Sequence, residues 1–160
     1  MATLTLARLK ELLHYDPETG VFTWKVRRCG RALVGAPAGT TYSNGYHYIW
    51  LEGVRYFAHR LAWFYVHGRW PPNDIDHIDF NRANNAISNL REATESQNHF
   101  RVRTKKTRRG VSETRGRWRA RISVKGIELH LGYFPNPDDA QAAYRSAALK
   151  HFGEFADGVI

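Results

Sequence analysis

Apolar residues recur along this chain at two different periods, and the places where the period changes mark its elements. Leu6, Leu9, Leu12 and Leu13 fall three to four positions apart, which predicts a short amphipathic helix. Asp16-Pro17-Glu18-Thr19-Gly20 then reads as a turn, and Val21 to Val26 as a strand. Asn44-Gly45 is a hairpin signal. Tyr46 to Leu51 and Val54 to Ala58 pair across Glu52-Gly53, and a helix near His59 to His67 closes at Gly68. Pro71-Pro72-Asn73 stops what precedes it. Ile75 to Ile78 is then a short strand, Asp79 to Asn85 a polar loop and Ser88 to Arg91 a return strand. Thr94-Glu95-Ser96-Gln97 has the form of a capping box, so a helix begins there and holds Asn98 in its first turn.

Farther along, Trp118, Ala120 and Ile122 alternate with Arg117, Arg119, Arg121 and Ser123, the period of a strand with one apolar and one cationic face. Lys125-Gly126 makes the turn, and Ile127 to Tyr133 returns antiparallel. Asn136-Pro137-Asp138-Asp139 opens a helix with an N-cap, an N1 proline and two first-turn acids. Its apolar stripe is expected to be Ala140, Ala143, Tyr144, Ala147, Ala148 and His151, with Gly153 as C-cap. Alanines let that helix lie close on the sheet, which leaves the arginine face of the sheet open.

Charge adds a location. The chain carries a formal +9, and residues 101 to 121 hold ten basic side chains against the single acid Glu113. Subtracting them leaves 14 basic and 14 acidic residues, so the rest of the chain is neutral. Such a concentration is the footprint of a polyanion binder. Arg101 to Arg109 reads as a basic joint between two modules as readily as a solvated linker. At 160 residues the chain holds one good core or two small ones. No apolar run is long enough to span a membrane and Met1 leads into no signal segment, so the expected location is cytoplasmic, with no membrane partner. Cys29 stands alone, which excludes a disulfide framework and a cysteine-rich zinc site. His47, His59 and His67 fit no zinc spacing and receive no chemistry. Arg27, Arg28 and Arg31 read equally as phosphate contacts or an exposed loop.

The candidate chemistry lies between Asp76 and Asn98. Phosphodiester hydrolysis needs a base to deprotonate water, a hard cation to neutralise charge on the phosphate and leaving oxygen, and donors that hold the phosphate. His77 suits the base, being half deprotonated near neutral pH. Asp76 points to the other side of an extended strand, so the pair divides its work between metal and water where that strand ends and bends. Asn98 supplies a second oxygen, and a carboxylate with an amide carbonyl suits Mg²⁺ better than Zn²⁺, with Mn²⁺ a natural substitute.

Asp76-His77-Ile78-Asp79, Asn84-Asn85-Ala86-Ile87-Ser88-Asn89-Leu90-Arg91 and Thr94-Glu95-Ser96-Gln97-Asn98 together resemble the HNH endonucleases, especially homing and nicking enzymes of phages and introns. The resemblance implies His77 as general base, Asp76 as metal ligand and Asn89 as the brace of the loop that positions the base. It puts the last metal ligand at Asn98, with His99 the neighbouring alternative. It also implies double-stranded DNA as partner, products with 5′-phosphate and 3′-hydroxyl ends, and a phage or mobile-element source.

From about Arg109 to Ala156, the elements Arg109-Gly110-Val111, Gly116-Arg117-Trp118, Leu131-Gly132-Tyr133-Phe134 and His151-Phe152-Gly153 resemble the Apetala-two (ethylene-response-factor type) DNA-binding domain. That likeness implies a three-stranded sheet in the major groove, with Arg119, Arg121 and Ser123 facing bases and Glu128 and His130 beside them. The loop before Gly116 is shorter than in that family and lacks its extra Trp, so no target sequence carries over.

The expected fold is α+β: a ββα-metal HNH core with an N-terminal hairpin and helix extension, plus a small three-stranded antiparallel sheet on one helix. The expected domains are 1–104 (core about 46–103), a basic linker at 105–109, and 110–160. The expected function is a Mg²⁺-dependent DNA endonuclease, with catalytic His77 and Asn89, metal ligands Asp76 and Asn98 (or His99), and DNA contacts from Arg91, Arg101, Arg103, Arg117, Arg119, Arg121, Ser123 and His130. It acts as a monomer that nicks, or a dimer that cuts both strands. The competing readings are a DNA-binding protein with an inactive HNH unit and a structure-directed or RNA-directed nuclease.

Overall fold

In the computed structural model, residues 4–28, 33–100 and 109–156 are described, together with the backbone of Arg101. Cys29, Arg31, Arg103, the Arg101 side chain and most of the basic joint therefore lie outside the described residues. The chain divides into two compact units, residues 1–92 and 93–160. The sequence reading drew its boundary later, at 104; the helix in between goes with the second unit.

In the first unit, helix α1 (Leu6–Leu12) begins where Thr5 Oγ1 accepts the Arg8 N–H, and it runs directly into strand β1 (Leu13–Tyr15). The Asp16–Gly20 turn forms as expected: Asp16 Oδ1 accepts from the Glu18 and Thr19 amides, and β2 (Phe22–Trp24) returns antiparallel to β1. A second sheet has the order β3 (Thr40–Thr41), β4 (His47–Leu51), β5 (Val54–Phe57), with Ile49 opposite Tyr56. Helix α2 (Ala58–His67) ends at Gly68, which takes the left-handed conformation at φ 70°. Leu9, Leu13, Ile49, Leu51 and Leu61 are fully buried at the centre of this unit, with Ile75 and Leu90 at the edge of the same core.

That core fixes the position of the candidate site. Strand β6 (Asp74–His77) is anchored through Ile75, and Arg60 of α2 donates to the carbonyls of Pro71 and Asn73 just ahead of it. Strand β7 (Leu90–Ala93) pairs with β6 in a two-stranded sheet. The return strand was expected from Ser88, but Ile87–Asn89 forms a 3₁₀ turn first, its last amide bonding back to Ala86 O. An Asn there can clamp a loop; in a regular strand it would point at solvent or core.

The second unit opens with helix α3 (Glu95–Arg101), whose capping box forms as expected: Thr94 N–H donates to Gln97 Oε1 at 2.8 Å and Gln97 N–H to Thr94 Oγ1 at 3.3 Å. Strands β8 (Val111–Thr114), β9 (Arg117–Val124) and β10 (Ile127–Phe134) form an antiparallel sheet in the order β10-β9-β8. Helix α4 (Pro137–Phe152) is capped by Asn136, which accepts the Asp138 and Asp139 amides. It buries Ala140, Tyr144, Ala148 and Phe152. His151, expected on that stripe, is exposed, and the larger Phe152 takes the place, stacking on Phe100 of α3 at 4.0 Å. Gly110 permits the close packing here, since a Cβ on it would fall 2.3 Å from the Tyr144 ring and 2.4 Å from Arg121 O.

Candidate active site

His77 sits at the end of β6, where the chain leaves regular pairing, and is buried together with Asp76, Asn85, Asn89 and His59. Its Nε2 lies 3.3 Å from Asn85 Oδ1. The orientation of that amide follows from its other end, where Asn85 Nδ2 donates to Ala83 O at 3.1 Å and so turns Oδ1 to the imidazole. A carbonyl oxygen only accepts, so His77 carries its proton on Nε2 and keeps the Nδ1 lone pair for use as a base.

Burial pushes the His77 pKa below its ordinary value; Asn85, Asp79 and Asp76 pull the other way and Arg82 adds to the depression. The imidazole is therefore neutral over more of the physiological range than an exposed histidine. His59, at the start of α2, lies edge-on to it with ring centroids 5.1 Å apart. Its pKa is lowered to about 3, by burial first and then by His77 and Arg60. His59 was assigned no chemistry from its sequence position, yet it is buried directly against His77. The other two histidines are structural: His47 bridges Ala38 O at 2.9 Å and Thr41 Oγ1 at 3.0 Å, and His67 stacks on Trp63 at 4.0 Å.

Asn89 braces the loop after His77. Its Oδ1 accepts the Asp79 amide at 3.0 Å, its Nδ2 donates to Asp79 Oδ1 and Asn84 O at 2.9 Å each, and its own carbonyl accepts the Ile78 amide. Partial burial works against the Asp79 carboxylate, but hydrogen bonds from Asn84, the Asn81 amide and Asn89 outweigh it and hold its pKa below the usual value. Phe80 in the same loop has φ 63°, a conformation a bulky side chain adopts only when its surroundings impose it. Asn89 therefore acts on the loop, and the residue hydrogen-bonded to the imidazole is Asn85.

Asp76 accepts Arg91 Nε at Oδ2, 3.0 Å away, in a largely buried ion pair. Arg91 was expected to contact DNA; the structure ties its guanidinium to the carboxylate. Among the described residues no group of three or more His, Cys, Asp and Glu side chains could hold a metal. Asp76 is a hard, buried oxygen donor, which fits a cation that draws most of its ligands from water and substrate and does not fit a histidine-cysteine zinc cage. Asn98, half-buried, and His99, exposed, stand next to each other on α3 in the second unit.

The second unit places the expected DNA-reading residues on one sheet face. Arg117, Arg121, Ser123 and His130 are exposed and Arg119 is half-buried. Arg121 is ion-paired to Glu128 at 2.9 Å, and Arg117 donates to Tyr133 O at 3.2 Å. Beside this face lies a cleft of about 830 Å³ lined by His99, Arg109, Lys125, Glu128 and Tyr144 among others; it contains none of the residues around His77.

Residues 56–100 match the HNH endonuclease family, a segment that holds His59, His77, Asn85, Asn89 and Asn98. An uncharacterized HNH endonuclease of Acanthamoeba polyphaga mimivirus is 39% identical over 88 residues, covering 53% of this chain and 47% of that protein. The chain thus spans about half the length of that relative. A solved structure of the HNH homing endonuclease I-HmuI, described as showing DNA binding and cleavage, aligns over 96% of this chain and 84% of its own, with 20% identity and a TM-score of 0.46. No helix among the described residues is long and apolar enough to cross a membrane.

Proposed function

We propose that this chain is a metal-dependent DNA endonuclease in which His77 is the general base. The observation that carries the reading is the neutral, buried imidazole whose tautomer is fixed by Asn85, at the end of a strand whose preceding residue is a buried carboxylate, inside the segment that matches the HNH family.

The residues divide the work as follows. His77 Nδ1 takes a proton from the attacking water; its depressed pKa keeps it unprotonated and ready, and the Asn85 contact steadies the imidazolium that results. Asn89 and Asp79 hold the loop so that His77 does not swing away. Asp76 would hold a divalent cation, Mg²⁺ with Mn²⁺ as substitute, which supplies charge neutralisation at the phosphate and leaving oxygen. Arg91 meanwhile keeps the buried carboxylate compensated. The resemblance to the HNH family, carried over by motif position, assigns the second protein ligand to Asn98, with His99 as the alternative. Replacing each by Ala and titrating Mg²⁺ against cleavage identifies it: the ligand's loss raises the metal concentration required, the other's does not.

The Apetala-two likeness makes the arginine face of the second unit the site reader, with double-stranded DNA as its partner and the expected linker at 105–109 as its tether. A monomer with one His77 nicks. The test is cleavage by wild type and His77→Ala beside DNA binding by both: loss of cutting with affinity retained supports the base assignment, and residual cutting with lost affinity refutes it.

A further inference from the structure

We propose that a ridge of tyrosine-backed guanidiniums on the first unit, Arg55 over Tyr42 and Tyr48 and Arg82 over Tyr46, seats the sugar-phosphate backbone of duplex DNA beside His77. The inference rests on the reading of His77 as the base of a DNA-cutting site, and adds a contact surface distinct from the sheet of the second unit.

Two sets of arginines in the first unit differ in how their charge is held. Arg8, Arg69 and Arg91 are ion-paired, to Glu11 and Glu52, to Glu92 and to Asp76. Arg55 and Arg82 have no carboxylate partner among the described residues and lie instead on aromatic faces: Arg55 is 4.7 Å from the Tyr48 ring and 5.5 Å from that of Tyr42, and Arg82 is 4.8 Å from Tyr46. A ring holds a guanidinium in place without cancelling its charge. Both side chains are exposed, so the cation is presented to solvent.

The mounting is rigid. Arg82 Nη1 donates to Asn44 O at 3.0 Å, Asn44 Nδ2 donates to the Tyr48 hydroxyl at 3.0 Å, and the Asn44-Gly45 turn closes through Gly45 N–H to Tyr42 O. The rings run on without a break: Tyr42 to Tyr48 at 5.0 Å, Tyr48 to Phe57 at 4.5 Å, Phe57 to Tyr46 at 5.3 Å, and Tyr46 to His77 at 6.1 Å. A pinned guanidinium gives up little rotamer freedom on meeting a phosphate, and its planar donors match phosphate oxygens. Two such cations, joined to His77 by a run of ring contacts, on a unit with eleven Lys and Arg against eight Asp and Glu, favour a strand of phosphates over an acidic protein.

The test is equilibrium binding of a labelled DNA duplex by the full chain in EDTA across a salt series, for wild type, Arg55→Ala/Arg82→Ala and Arg55→Lys/Arg82→Lys, with circular dichroism on each. The Ala pair should flatten the slope of log affinity against log salt by about 2, since each lost phosphate contact removes about 0.9. The Lys pair should recover the slope with part of the affinity. Should the double Ala variant fail to fold, Arg82→Gln alone should still flatten the slope by about 1. An unchanged slope in a folded variant overturns the ridge, as does wild type that does not bind the duplex. Wild type that binds with the expected slopes but never cuts with Mg²⁺ removes the nuclease reading and leaves the ridge standing; wild type that cuts while the variants keep its slope does the reverse.

Discussion

Two histidines eighteen positions apart, His59 and His77, meet edge to face in the buried interior, where burial lowers the pKa of both. The consequence is a stability that depends on acid. In the unfolded chain each would take up a proton near pH 6.5, whereas folded His59 resists protonation down to about 3, so the unfolded state binds more protons throughout that window. Stability is therefore full above about pH 6.5 and falls by about 1.4 kcal/mol per pH unit below it on account of His59. Denaturant melts between pH 7.5 and 4.5 check this, and His59→Phe should flatten the dependence. Asn85 bears on rate instead: Asn85→Ala frees the His77 tautomer and should slow cleavage about 10- to 100-fold, a share of what a general base contributes, with DNA affinity unchanged. The strand end that carries Asp76 and His77 was legible because prolines precede it and a polar loop follows it. His59 was not, because a single histidine among aromatics looks like filler until folding brings α2 against β6.

At the level of elements, local chemistry was readable and long-range support was not. The capping box at Thr94 and Gln97, the Asn-Gly turn and the Asn136 cap each involve neighbours a few residues apart, and all three form. The Asp16–Gly20 turn also forms, but its purpose emerges only in three dimensions: Tyr15 Oη donates to Asn85 O at 2.8 Å, Ile87 N–H donates to Pro17 O, and Gly20 packs against the same backbone. A Cβ on Gly20 would lie 2.2 Å from Asn85 C, at a φ of +74°. Gly20→Ala should therefore cost about 2 kcal/mol or more and displace Asn85, so that the melting temperature and the cleavage rate fall together. A silent substitution would show that the turn does not hold the loop. The 3₁₀ turn at Ile87–Asn89 and the replacement of His151 by Phe152 on the α4 stripe were unreadable for a related reason, since tertiary contacts decide both.

For the molecule as a whole, the two likenesses in the sequence suggested two modules joined at 105–109, but the compact units part at 92/93, and α3 carries Asn98 into the second. A helix of seven residues is marginal by itself. α3 is held through Phe100, which joins Phe152 and Phe155 in a hydrophobic cluster and lies 4.3 Å under the Arg109 guanidinium. A chain ending after Lys106 should consequently lose the α3 helical signal and all cleavage, where a boundary at 104 would leave a weak nuclease; circular dichroism and a plasmid assay on the fragment decide between them. The β9–β10 pair and helix α4 were visible because period-two alternation and a capped alanine-rich helix are strong signals, whereas the pairing of Arg121 with Glu128 needed the strand register. The most direct measurement of the central claim is incubation of supercoiled plasmid with the full chain, wild type and His77→Ala, in Mg²⁺ and in EDTA, with the ends mapped. Wild type in Mg²⁺ should nick the plasmid and leave 5′-phosphate and 3′-hydroxyl ends, while EDTA or His77→Ala should leave it supercoiled with DNA still bound; a His77→Ala protein that nicks at the wild-type rate would contradict the account.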